Sequence, residues 1–372
     1  MPAIRPGLRL RAARKGQSAF APPSATIDRL SDLDGVKVNP GNLRARCYVP
    51  PGLDGPAPLV VVLHGCTQDA AVYDHGSGWS TLADRHGFLL LFPEQQRANN
   101  PMLCFNWFSG NDTQRGMGEA ASIKAMIDAM KKAHPVDPER IFVTGLSAGG
   151  AMASAMLATY PEVFAAGAII AGVAYGCAAD VTEAFDCMGG RARSDARELA
   201  GHVRRASPHK GPWPRVQVWQ GSSDNLVVPS NADAIVLQWA DLHDVGPQPD
   251  RTDKVESYPR RAWVGAGGEP VIEQYSITGM GHGIPLGGGA DSVGEAGAHM
   301  LDVGLSSTAH IAAFFGIAPE EAKRRPAESS LAPAPLPATA PRRATRAPRA
   351  EAAASGVQQV IEDALRKAGL MR

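Results

Sequence analysis

The stretch "RIFVTGLSAGGAMASAMLATY", residues 140–160, constrains this chain more than any other. Apolar, β-rich residues run up to Gly145, one serine sits among glycines, and good helix formers follow at once. A strand buried on both faces of a parallel sheet is continuously apolar in this way. A chain that passes from strand to helix at a single residue holds that residue in an unfavourable backbone conformation, and its neighbours must be small. Gly145-Leu146-Ser147-Ala148-Gly149 meets that demand. The G-x-S-x-G pattern is common by chance, but between a strand and a helix it marks Ser147 as a candidate nucleophile. The alternative is a tight strand-to-helix connection without chemistry.

Further strands are legible as short runs: "LRARCYVP", which alternates like an edge strand, then "PLVVVLHG", "GFLLLFPE", "VQVWQG" and the weaker "VIEQYSITG". Helical segments lie between them at "GWSTLADRHG", "MGEAASIKAMIDAMKKAH" and "AMASAMLATYP". Strands alternating with helices predict an α/β fold, a mostly parallel central sheet with helices on both faces. Composition divides the 372 residues. Residues 1–24 read as a flexible basic arm, and residues 25–317 carry the regular patterns of one α/β domain. Residues 318–355 are Ala/Pro/Arg-rich and too poor in apolar groups to build a core, so disorder is expected there. Val360, Ile361, Leu365 and Leu370 give residues 356–372 the spacing of a short amphipathic helix.

In such sheets, sites form at the carboxyl ends of the strands. A serine hydroxyl needs a base within reach, and His282, on the glycine-rich loop after "VIEQYSITG", has the position of that base. His86 and His134 fall within helical segments, and His299 and His310 lie late in the core. The acid that orients the imidazole is expected after the penultimate strand, where "VQVWQGSSDNLVVP" offers Asp224. Glu273 and Asp233 are weaker candidates, one in mid-strand and the other in a helical stretch. The chain order Ser147, Asp224, His282 is that of the α/β-hydrolases. Oxyanion donors are expected from the backbone N–H of Ala148 and, after "VVVLHG", from that of Cys66, with His64 bracing the loop.

Lysine plus arginine equals aspartate plus glutamate at 37 each, so no global field favours nucleic acid or an anionic membrane. The five cysteines form no CxxC pair, which removes zinc and thioredoxin-like chemistry, and no metal is expected. The longest apolar runs are too short for a transmembrane span. The basic beginning of the chain lacks the apolar core of a signal peptide.

Taken together, "LHGCTQ", "FNWF", "GLSAGGAMA", "QGSSDNLVVP" and "GMGH" resemble the polyhydroxybutyrate depolymerase family of esterases, which sits beside the feruloyl and acetylxylan esterases. The resemblance spans about residues 40 to 317, with five separated motifs in order. It implies the α/β-hydrolase fold and cofactor-free ester hydrolysis by a triad that matches here at Ser147, Asp224 and His282. It also implies an extracellular setting, whereas the absence of a visible signal peptide leaves a cytoplasmic one open. The substrate reading is short-chain poly(3-hydroxyalkanoate) or its oligomers. A feruloyl or acetylxylan esterase, and a non-catalytic binding protein of the same fold, are the alternatives. Trp107 and Phe108 of "NWF", with Tyr73 and Tyr175 near strand ends, are expected along a substrate groove, while Trp219 is assigned to the core. Cys66 and Cys104 fall on segments placed at one rim; a bridge between them and two buried free thiols are both open, and the resemblance adds some weight to the bridge. Cys177 and Cys187 would form a second link, leaving Cys47 unpaired.

Overall fold

The apolar runs "PLVVVL" and "IFVTGL" are neighbours at the middle of one ten-stranded sheet. The computed structural model describes residues 26–192, 195–287 and 293–319. The arm 1–24 and nearly all of the tail 318–372 lie outside these described residues. The chain begins with β1 (Ser31–Asp32), β2 (Arg44–Tyr48) and β3 (Ala57–Leu63), followed by α1 (Ala70–Ser77), α2 (Trp79–His86) and β4 (Leu89–Glu94). Next come α3 (Gly110–Thr113), α4 (Gly118–Ala133), β5 (Val136–Leu146), α5 (Ala148–Thr159) and β6 (Ala166–Ile170). Then α6 (Val181–Met188) and α7 (Ala196–Ala206) lead to β7 (Arg215–Gly221) and α8 (Ser230–His243). The chain closes with β8 (Arg251–Val255), β9 (Tyr258–Val264), β10 (Pro270–Ile277), β11 (Ile284–Leu286), β12 (Met300–Asp302) and α9 (Ser307–Phe314).

The strand order is β1-β2-β4-β3-β5-β6-β7-β10-β9-β8. The five adjacent pairs from β4 to β10 are parallel, and the two pairs at each edge are antiparallel. The fold is therefore mixed α/β, with a parallel centre and antiparallel margins. "LRARCY" is not the outermost strand as expected, because the two-residue β1 pairs outside it.

Alternation along the central strands assigns the two faces. In β3, Leu59, Val61 and Leu63 join one core cluster, whereas Val60 and Val62 join another. The first cluster takes Ile123 and Met126 of α4, Met152 and Met156 of α5, Val203 of α7 and Trp239 of α8. The second takes Tyr73 of α1, Trp79 and Leu82 of α2, and Ile311 of α9. Trp219 is in the second core as expected, stacked on Tyr275 with ring centroids 3.9 Å apart. All twelve residues of α5 are buried, which explains why its sequence is small and apolar on every side. A helix walled in this way is a rigid base for whatever its first residue does.

Candidate active site

Register brings the candidate residues together. Leu146 of β5 pairs with Ile170 of β6, Ile170 with Trp219 of β7, and Gly221 of β7 with Ile277 of β10. These strand ends lie along one edge, and Ser147, Asp224 and His282 leave it on three of the loops.

Ser147 has φ 57° and ψ −117°, a conformation that costs an L residue roughly 1–3 kcal/mol. Serine at a helix N-cap ordinarily bonds a backbone N–H in the first turn. Ser147 makes no such bond, so its hydroxyl is not consumed by the helix it begins. The corner closes only because its neighbours lack side chains: a Cβ on Gly145 would stand 2.4 Å from the Gly149 backbone. One on Gly149 would stand 2.3 Å from the Leu63 carbonyl oxygen. The turn therefore touches the end of β3, which brings the His64-Gly65-Cys66 loop beside the start of α5.

His282 Nδ1 lies 2.7 Å from Asp224 Oδ2. The Asp224 side chain is fully buried and accepts three further bonds, from Gln220 Nε2 at 3.1 Å, the Leu226 amide at 2.9 Å and the Val227 amide at 3.0 Å. A carboxylate surrounded by donors acts as an acceptor, so His282 Nδ1 carries its proton and Nε2 is left as the basic nitrogen. Neither rival acid approaches His282. Glu273 bonds Gln217 and Arg260, and Asp233 pairs with Arg261.

The loop after β3 is tied down on several sides. Buried His64 contacts the Gly65 carbonyl through Nδ1 at 2.8 Å, while its Nε2 accepts from the Gln95 amide at 3.1 Å. Burial holds this imidazole below its ordinary pKa, in keeping with a neutral structural ring. Cys66 is disulfide-bonded to Cys104 and Cys177 to Cys187, while Cys47 is free and buried, which decides between the bridged and free-thiol arrangements that the sequence leaves open. Neither the Cys66 nor the Ala148 amide donates to another backbone group among the described residues.

Several contributors were not anticipated. Glu119, at the start of α4, accepts from Gln95 Nε2 at 2.6 Å, the Asn106 amide at 2.9 Å and Asn106 Nδ2 at 2.8 Å. Gln95 Nε2 also donates to the Cys104 carbonyl at 3.0 Å. His64, Gln95, Glu119 and Asn106 thus join the loop after β3 to "FNWF". Burial pushes the Glu119 carboxyl up to about 8 against the pull of its donors. His299, taken for a residue of the late core, bonds the His282 carbonyl through Nδ1 at 3.1 Å, and the two rings meet edge to face. Its wide separation from "GMGH" gave no local signal of this contact.

The expected groove residues divide. Trp107 and Tyr175 are half-buried and line one cavity of about 440 Å³. Phe108 meets Trp107 edge to face but does not line that cavity. Tyr73 is a correction: it is fully buried in the second core and cannot reach a groove. Ala70, Tyr73, Asp74 and Ser77 form the buried stripe of α1, and helical spacing turns the ring inward.

Residues 43–246 match the esterase PHB depolymerase family. The chain belongs to that family. It is 46% identical over 301 residues to poly(3-hydroxyalkanoate) depolymerase C of Paucimonas lemoignei, covering 80% of this chain and 72% of the relative. An acetylxylan esterase of Coprinopsis cinerea is 33% identical over 279 residues, covering 73% and 74% of the two chains. Among solved structures, the acetyl xylan esterase from Aspergillus awamori superposes with a TM-score of 0.66 at 25% identity, covering 78% of this chain and 99% of that one. The chain is a carboxylic ester hydrolase.

Proposed function

We propose that this esterase has the α/β-hydrolase fold and hydrolyses short-chain poly(3-hydroxyalkanoate) or its oligomers through an acyl-enzyme. The observation that carries the reading is the Asp224–His282 contact, made between loops 58 residues apart that leave the same sheet edge as the strained Ser147. Ser147 Oγ attacks the ester carbonyl as His282 Nε2 takes its proton, and the imidazolium returns that proton to the leaving alkoxide oxygen. Water, activated by the same nitrogen, then releases the acid and restores the serine. Asp224 keeps the ring in the required tautomer and stabilises its charged form. The Ala148 and Cys66 amides receive the negative oxygen of each tetrahedral intermediate, at positions fixed by the α5 base and the braced loop.

The polyester substrate is favoured over a feruloyl or acetyl ester by the closer kinship to the depolymerase, 46% against 33%. A hydrolysis panel of 3-hydroxybutyrate oligomers, amorphous polymer, methyl ferulate and acetylated xylan tests this. Turnover of oligomers above the other esters is expected. Preference for xylan or ferulate would transfer the assignment to the second reading.

A further inference from the structure

The cavity that Trp107 and Tyr175 share lies between α3, the loop after β6 and the end of α7. Trp107 also packs against the cluster of Ala151, Val173, Cys187 and Val227, in which Ala151 lies one helical turn from Ser147 and Val227 three residues from Asp224. The cavity is thus continuous in packing with the wall of the candidate active site. Its own wall is apolar at Trp107, Tyr175 and Ala178, yet it holds Arg115, His202 and Arg205 and no carboxylate.

The two arginines and the histidine differ in their partners. Arg115 is consumed by Glu162, at 2.6 Å, and by the Thr159 carbonyl. Just outside the cavity, Arg204 is likewise paired with Asp241 at 2.9 Å. Arg205 faces no acid among the described residues, and its one hydrogen bond runs to His202 Nδ1 at 3.4 Å. His202 is wedged against Gly176, where even a Cβ would stand 2.7 Å from the ring. A planar five-donor guanidinium in a cavity that also carries Trp107, Tyr175 and Ala178 suits a ligand with an apolar body and one carboxylate.

We propose that this cavity binds the free carboxylate end of a hydroxyalkanoate oligomer, with Arg205 as the anion-binding residue. The inference rests on the ester-hydrolase reading of Ser147. In a 3-hydroxyalkanoate chain every ester has its alcohol component on the side of the free carboxylate, so the cavity holds the leaving fragment. That fragment departs as an alcohol whose far end carries the acid.

The test compares the 3-hydroxybutyrate trimer as the free acid with its carboxyl methyl ester, in the wild type and in Arg205→Gln. The free acid should have the lower KM in the wild type. In Arg205→Gln that preference should fall by about tenfold, the factor of one hydrogen bond to a charged group. Arg205→Lys should retain part of it, and thermal melts of both variants establish folding. Equal KM for acid and methyl ester in the wild type, or an unchanged preference in Arg205→Gln, overturns the inference. If the wild type cleaves no ester, the catalytic reading fails instead. Calorimetry of both trimers on Ser147→Ala then still decides the cavity: tighter binding of the acid supports it, and equal binding refutes it.

Discussion

A serine at a helix N-cap whose hydroxyl caps nothing is a local loss that the fold accepts, and chemistry explains it better than packing does. Replacing Ser147 by Ala should lower ester turnover by roughly 10⁴-fold or more while the melting temperature changes little. A variant that keeps its activity removes Ser147 from the mechanism. Asp224→Asn presents an amide to His282 in place of a pure acceptor and favours the wrong ring tautomer, so a loss of up to about 10⁴-fold is expected. Were Glu273→Gln to reproduce that loss while Asp224→Asn did not, the acid would be misplaced. These residues were legible because each is tied to the end of a recognisable strand. Tyr73 was misjudged for the opposite reason: nearness to a strand end says nothing of direction, and the stripe at 70, 73, 74 and 77 does. Glu119 was invisible because its partners are side chains and amides brought in from two other loops.

Among the elements, α4 has a duty beyond its apolar stripe, since it delivers Glu119 under the "FNWF" loop. With its carboxyl raised from 4.5 to about 8, the folded chain retains a proton that the unfolded chain has released. This group's contribution to stability is therefore complete at low pH, and it declines as pH rises from 4.5 to about 8. Glu119→Gln, which mimics the protonated acid, should gain in melting temperature relative to the wild type across that window. Parallel pH profiles for the two proteins would contradict this. The central strands and α2, α4 and α5 were plain from apolar period and length. β6, "AGAII", escaped notice because Gly167 must admit Leu157 of α5, which dilutes the β-rich signal. The strand β8, "RTDKV", escaped because an exposed edge needs no apolar face.

At the scale of the molecule, two disulfides fasten loops that rise from the carboxyl ends of the parallel strands. Cys66–Cys104 closes a separation of 38 residues and Cys177–Cys187 one of 10. Removing them by paired serine substitution should cost about 4 and about 3 kcal/mol in the chain-entropy account. Denaturant unfolding measures both. The first pair should also lower turnover, because it frees the loop that carries the Cys66 amide. An unchanged rate in that variant would show that the loop is held by His64 and Gln95 alone. The far margin of the sheet has a different consequence. Along β8, Arg251, Asp253 and Lys254 are exposed, and the outward strand edge is lined with charge of both signs. A neighbouring copy that tried to extend the sheet would have to strip water from those groups to do so. The margin that would let one sheet grow into the next is thus the part of the sheet least able to give up its water.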